Sequence, residues 1–240
     1  MEWEGPAIVL EFCSHGEGDL LATLLTERGS WRGLAKGGAS RRHAATWQQG
    51  NILSARWVAR LESQLGAVSG ELVRPVAALA MHEPDTLAIL SAACALAAGA
   101  LPEREPAPES FSALLRLLAG IDIPGFALPE LCRWELLLLR ELGFGLDVSG
   151  GGGNDPLAYV SPRTGRAVTF SQAGEWLDRL LPLPAFLIED AEASQADCVA
   201  ALRLTGHFLA RDVFGARHRP LPPARARLYE TLSERLQGAE

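Results

Sequence analysis

Ile52-Leu53-Ser54-Ala55-Arg56-Trp57-Val58-Ala59-Arg60-Leu61 alternates without a break. Ile52, Ser54, Arg56, Val58 and Arg60 fall on one side and Leu53, Ala55, Trp57, Ala59 and Leu61 on the other, because successive side chains of a strand point to opposite faces. One side carries two arginines and a serine and the other is wholly apolar, the pattern of a strand with one face in a core and one in water. Outward from it, Ala7–Cys13, Gly18–Thr26, Trp31–Lys36 and Val68–Arg74 are further short apolar or alternating runs, separated by Gly-bearing turns. Five short strands predict a small barrel, and five is the strand number of an OB-fold. An SH3-like barrel has similar strand numbers, and spacing alone does not separate the two.

From Pro75 onward the period becomes helical. Pro84–Leu101, Glu109–Leu118, Pro129–Leu142, Ser171–Leu181, Ala193–Phe214 and Pro222–Leu236 carry apolar residues three and four apart. Pro84 and Pro129 suit a first helical turn and Gly143 a helix stop. Gly150–Gly153 reads as a flexible loop. Leu157–Val160 and Arg166–Phe170, flanking Ser-Pro-Arg-Thr-Gly, read as a hairpin. The expected class is α+β: a five-stranded barrel over residues 1–75, then a mainly helical domain over 76–240 with an inserted β-hairpin at about 155–170.

The 240 residues are 48% hydrophobic and 21% charged, which excludes disordered, collagen-like and coiled-coil chains. The longest uncharged apolar stretch, Leu87–Leu101, is rich in Ala and shorter than the roughly 20 residues of a membrane span. Glu2 and Glu4 stand where a signal peptide would be basic, so a cytoplasmic, membrane-free protein is expected. Cys13, Cys94, Cys132 and Cys198 form no CxxC pair, have no His at ligand spacing, and each lies among apolar residues, as buried free thiols do.

The net charge of −7 is unevenly placed. Residues 1–80 hold eight bases and eight acids; residues 81–240 hold fourteen bases and twenty-one acids. Between Arg28 and Leu61 stand Arg28, Arg32, Lys36, Arg41, Arg42, Arg56 and Arg60 without one acid, interleaved with Trp31, Trp47 and Trp57. Cations along a strand path and flat rings for stacking are what single-stranded nucleic acid requires, and an acidic protein binds polyanions where its positive charge is concentrated. Trp57 belongs to the barrel core by its alternation; Trp31 and Trp47 are candidates for stacking. Gly33, Gly37 and Gly38 would let backbone approach a phosphate and keep the Ser40-Arg41-Arg42 loop mobile. The competing reading is a core of Trp behind an ordinary solvated face.

Nothing asks for catalysis. The chain lacks HExxH and GxSxG, Gly33–Gly38 lacks Walker spacing, and Gly150–Gly153 follows a helix, unlike a dinucleotide fingerprint. A second basic locality runs from Arg203 to Leu228, with Arg203, Arg211, Arg217, Arg219, Arg225 and Arg227 against Asp212 alone. Arg203, His207 and Arg211 line one helical face and Val199, Leu202, Leu209 and Val213 another, so the basic face is either solvated or a site for an acidic peptide or phosphate. In Pro129–Leu142, apolar on most sides, Arg133 and Arg140 are seven apart and share a side.

Trp3-Glu-Gly-x-Ala-Ile-Val-Leu10, His15-Gly-Glu17, Leu-Ala-Lys36-Gly-Gly-x-Ser40-Arg41-Arg42, Arg133-Trp-Glu-Leu, Glu141-Leu-Gly-Phe-Gly-Leu-Asp147 and Tyr159-Val-Ser-Pro-Arg-Thr-Gly-Arg-Ala-Val168 occur in that order. Together, from residue 1 to about 236, they resemble the bacterial RecO recombination mediators. The resemblance implies an OB-fold and a helical domain, binding of single- and double-stranded DNA, strand annealing, partnership with RecR and with the acidic C-terminal tail of single-strand-binding protein, and help in loading recombinase, without enzymatic activity. By it, the basic barrel positions Arg28, Arg32, Lys36, Arg41, Arg42, Trp47, Arg56 and Arg60 become the DNA surface, with Lys36, Arg41 and Arg42 the best matches. Arg133 and Arg203, with Arg140 and Arg211 nearby, become candidates for partner binding. Many relatives carry a four-Cys zinc site after the Gly-Phe-Gly-Leu-Asp segment; here Ser149–Asn154 and the hairpin hold no Cys, so neither zinc nor another cofactor is expected. The alternatives from other classes are a non-catalytic protein-interaction adaptor and an RNA-binding OB-fold protein.

Overall fold

A computed structural model describes residues 1–61, 64–150 and 155–238. Five strands, β1 (Glu2–His15), β2 (Asp19–Thr26), β3 (Gly29–Ala35), β4 (Ile52–Val58) and β5 (Gly66–Arg74), close a barrel in the order β1-β2-β3-β5-β4, with β4 back on β1. This is the OB-fold order and settles the choice the strand count left open. All neighbours are antiparallel except β3 and β5, which are parallel and share only Gly33↔Gly66 and Leu34↔Ala67.

The interior is the inward set of each strand, including Leu53, Ala55 and Trp57 from the quoted stretch. Trp57 is fully buried beneath the parallel seam. Its Nε1 donates to the Arg32 carbonyl at 2.9 Å. A Cβ on Gly66 would lie 2.1 Å from the Trp57 ring, and one on Gly33 would lie 2.9 Å from Val68 Cβ. Gly33 therefore serves packing, not the phosphate approach expected of it. The alternation stops short at its far end: β4 ends at Val58, and Leu61 is exposed.

Ala7-Ile-Val-Leu10 is buried on both faces. A bulge between Val9 and Glu11 accommodates it, and α2 (Pro84–Ala100) packs on its outer side, where the Cys94 thiol reaches the Val9 carbonyl. Burial pushes the Cys94 thiol up to about 12. Cys13 differs from its expected burial: β1 and β2 run on past the barrel to the turn at Gly16, and Glu11–His15 is exposed throughout. The barrel ends at Arg74, but its compact unit continues through α1 (Val76–Ala80), α2 and α3 (Pro108–Ala119) to Ala127. The change of period at Pro75 thus marks a change of structure inside one unit.

The second unit, Leu128–Glu240, contains most of α4 (Ala127–Glu141), a small sheet of order β7-β6-β8 (β6 Leu157–Val160, β7 Ala167–Thr169, β8 Leu181–Pro182), α5 (Phe170–Ala173), α6 (Gln195–Phe208) and α7 (Pro223–Gln237). The loop expected at Gly150–Gly153 lies, past Gly150, outside the described residues. Two helices differ from expectation. Ser171–Leu181 is not one helix: Gly174 adopts φ 46 after the capped turn of α5, a 3-10 segment follows over Gly174–Arg179, and Leu181 joins the sheet as β8. Ala193–Phe214 starts at a capping box between Ser194 and Asp197 and passes into a π-helical segment at Leu209.

The unit is organised around a buried ion pair. Glu135 on α4 and Arg225 on α7 are both essentially inaccessible. Arg225 Nε and Nη2 donate to the two Glu135 oxygens, the second at 2.9 Å, and Nη2 also donates to the Leu202 carbonyl at 2.7 Å. The Thr205 hydroxyl donates to Glu135 Oε2 at 2.5 Å. Burial works against the Arg225 charge, yet the attraction and hydrogen bonds of Glu135 outweigh it and hold the guanidinium above its ordinary value. Arg225 therefore leaves the late basic locality and belongs to the core.

Breaking such a pair strands a charge in the interior at a cost of about 3–5 kcal/mol, whereas replacing both partners by apolar groups is often nearly neutral. Arg225→Ala is accordingly expected to lower the urea midpoint strongly, and Glu135→Leu combined with Arg225→Met to recover most of the loss. Equal midpoints for Arg225→Ala and the wild type would show that the pair does not hold the unit together.

Candidate nucleic-acid interface

Pairing between β3 and β5 ends at Leu34↔Ala67, and the chain leaves the barrel at Lys36. Gly37, at φ 64, turns it back, its N–H donating to Asp19 Oδ1 at 2.8 Å. Ala39 donates to the Gly18 carbonyl, and bonds among Ser40, His43, Ala44 and Thr46 make residues 40–46 a run of turns. Trp47 then plunges into the barrel core. The return is fastened by Gln49 Nε2 to the Leu10 carbonyl, by Gly50 N–H to the Val9 carbonyl, and by the buried Asn51. The Asn51 amide donates to the Ala45 and Thr46 carbonyls and accepts from the Ala77 N–H, so one side chain joins loop, barrel and α1. The loop is thus pinned at both ends, not the freely mobile segment expected from its glycines.

Between this loop and the outward faces of β4 and β5 lies a groove of about 320 Å³. Leu34, Val58 and Ala67 line it with apolar surface, Thr46 and Ser69 with hydroxyls, and Lys36, His43 and Arg56 with basic groups, while Trp47 closes its inner side. Lys36, Arg41 and Arg42 are exposed and have no acidic partner among the described residues.

The other sequence-derived positions do not join them in one patch. Arg28 sits in the β2–β3 turn, separated from Lys36 by the whole length of β3, about 20 Å at the usual rise per residue. Arg32 faces outward from β3, 3.8 Å from Glu103. Arg56 faces the groove, but Glu2 on the paired strand β1 holds its guanidinium at 2.8 Å. Arg60 is exposed beyond the end of β4. Trp31 and Trp47 are each only 4% exposed, so neither offers a face for stacking. Trp31 packs between Trp3 and Trp57, at 6.0 and 4.9 Å between ring centroids, and Arg104 lies over it at 5.5 Å. The stretch is acid-free along the chain, yet acids reach it from β1 and from the segment after α2, partners that a sequence window does not display.

In the second unit, Arg203 is exposed on α6 without a partner among the described residues, and Val199, Leu202, Leu209 and Val213 form the buried face, as their spacing requires. Arg133 on α4 bonds Glu130 at 2.7 Å and the Phe186 carbonyl at 3.2 Å, and its guanidinium lies over the Phe186 ring. The thiol of Cys132, next to Arg133, reaches the Cys198 carbonyl, so α4 and α6 are neighbours. Arg140 is exposed at the end of α4 and is engaged in an interaction. Arg211 has structural work instead: it chelates Asp212 with two 2.7 Å bonds, which raises its pKa, and with His207 it grips the Pro162 carbonyl in the β6–β7 turn. No group of three or more His, Cys, Asp or Glu is placed to hold a metal among the described residues, and no helix there is long and apolar enough to cross a membrane. Sequence reading missed Asn51, Thr46 and Ser69. Only the Gly50-Asn51 dipeptide before a strand signals the first, and short hydroxyl side chains signal nothing by themselves.

Residues 1–76 match the family model for the N-terminal part of recombination protein O, and residues 81–221 the model for its C-terminal part. The DNA repair protein RecO of Acidiphilium cryptum is 60% identical over 99% of this chain and 98% of its own length. That of Granulibacter bethesdensis is 52% identical over 97% and 96%, and that of Gluconacetobacter diazotrophicus 49% over 100% and 98%.

Because Trp47 is a plug and not a platform, Trp47→Ala is expected to cost about 3–5 kcal/mol of stability, as large aromatic truncations in a core do. Chemical denaturation measures it. An unchanged midpoint would return the ring to the surface role.

Proposed function

The chain belongs to the RecO family of DNA repair proteins, and on that premise we propose that it is a DNA-binding mediator of recombinational repair. In this reading the barrel binds single- and double-stranded DNA by their phosphates and brings complementary strands together for annealing. The helical part engages RecR and the acidic C-terminal tail of single-strand-binding protein, and so helps load recombinase onto DNA covered by single-strand-binding protein. The activity is one of binding in the cytoplasm, with no bond made or broken by the chain and no cofactor. Zinc has no place in it, because no Cys stands between Asp147 and Phe170 to supply thiolates.

The observation that carries the reading is the set Lys36, Arg41 and Arg42: three exposed cations on a pinned loop of an OB barrel, unneutralised within the described residues of a chain of net charge −7. Fixed cations displace counterions from a phosphate backbone, and that release supplies affinity without regard to base sequence. Annealing needs this indifference, since a strand held by its phosphates keeps its base edges open to a complement.

Replacing Arg41 and Arg42 together by Ala removes two such contacts. The slope of log affinity against log salt on single strands should become shallower by about 1.4, at roughly 0.7 per contact, and by the same amount for any base sequence. Fold stability should stay within a few tenths of a kcal/mol. A double variant with wild-type affinity and slope would assign the barrel to protein docking, as in an adaptor. Equal competition by RNA of the same length would favour the RNA-binding alternative.

The tail of single-strand-binding protein is an acidic peptide ending in a free carboxylate. A charge-assisted contact contributes about 1.5–3 kcal/mol, so Arg203→Ala should weaken binding of that peptide about tenfold or more. Arg133→Ala should have a smaller effect, since Glu130 and Phe186 already occupy that guanidinium. Unchanged affinity in both variants, measured by fluorescence polarisation, would move the tail site elsewhere.

A further inference from the structure

The groove beside the basic loop has a chemistry that phosphate contacts leave unused. Apolar walls from Leu34, Val58 and Ala67 enclose about 320 Å³. The hydroxyls of Thr46 and Ser69 line it with no hydrogen-bond partner among the described residues, and so does the exposed ammonium of Lys36. Apolar walls, a few polar groups and one cation fit a flat, partly polar ring tethered to a phosphate.

We propose that this groove seats one unstacked nucleobase of a single DNA strand, with the adjoining phosphate on Lys36 and the base edge against Thr46 and Ser69. The assignment rests on the reading of the barrel as DNA-binding. A hydroxyl both donates and accepts, so the pair satisfies any of the four base edges and the seat does not select a sequence. A base inside a duplex is stacked on both faces and cannot enter without being extruded. The groove therefore separates the two forms of DNA: single strands gain the base contact, and duplexes retain only the phosphate contacts of the loop. Arg56 also lines the groove, but Glu2 occupies its guanidinium, and Lys36 is left to hold the phosphate.

Polarisation titrations of the full chain with a labelled oligothymidine and with an abasic strand of equal length test this, because the two differ only in bases. The wild type is expected to prefer the base-bearing strand about tenfold, from burial of the ring against the apolar walls and its hydrogen bonds to the hydroxyls. Ala67→Leu and, independently, Ala67→Ile fill the groove from an exposed position of β5 with aliphatic bulk that offers a base no stacking face, and leave every cation in place. Each should bind the abasic strand as the wild type does and lose the preference, with thermal melting confirming the fold. A folded, groove-filled variant that keeps the preference overturns the base seat and leaves the phosphate reading standing. A wild type that binds both strands equally also overturns it. Binding to neither strand removes the seat together with the reading beneath it.

Discussion

The barrel depends on what lies under the seam where β3 meets β5. These two strands are parallel and share two residue pairs, so the ladder contributes little to closing the sheet. Trp57 supplies the closure from below, filling the space beneath Gly33 and Gly66 and bonding the Arg32 carbonyl. The glycines are there because the ring occupies the volume their side chains would need. The groove opens beside the end of this short seam, whose last pair, Leu34 and Ala67, lines it.

Charge is arranged around that opening with equal economy. A chain of net charge −7 attracts DNA only where cations escape its own acids. Arg32 and Arg56, on strands, meet Glu103 and Glu2 brought in by neighbouring segments. Lys36, Arg41 and Arg42 sit on the loop between β3 and β4, where Asp19 of β2 bonds the Gly37 N–H and not a cation. The loop can carry them in a fixed place because Asn51 and Trp47 bind its return to the core. A long exposed segment is thereby positioned by two buried side chains.

Much of this was legible before any coordinates. Short apolar runs between Gly-bearing turns located four of the barrel strands, and period-two alternation located β4, which has one dry face; the strand order then followed the OB pattern. Helical spacing found α2, α3, α4, α6 and α7 for the same reason. It failed at Ser171–Leu181, where Trp176 and Leu177 imitate a helical stripe but are exposed, and Gly174 breaks the chain. The run Ala7–Leu10, apolar on both faces, demands an outer cover, and α2 is that cover, so the unit continues past the barrel to Ala127. The site was harder to read than the fold. A window of sequence shows which charges are present but not which are neutralised, and it shows aromatics without showing that Trp31 and Trp47 point inward.

The Glu135–Arg225 pair carries a consequence for synthesis on the ribosome. The partners are 90 positions apart, and the second lies in the last helix. Domains fold from the amino terminus as the chain emerges, at about 5–20 residues per second. Residues 1–127 form a compact unit of their own and emerge before the second. An ionised carboxylate enters an apolar interior without its counter-charge only at high cost or by taking up a proton, so Glu135 stays in water or neutral until Arg225 arrives. The core around Glu135 can therefore dry only after a residue 90 positions later in the chain has emerged to meet it.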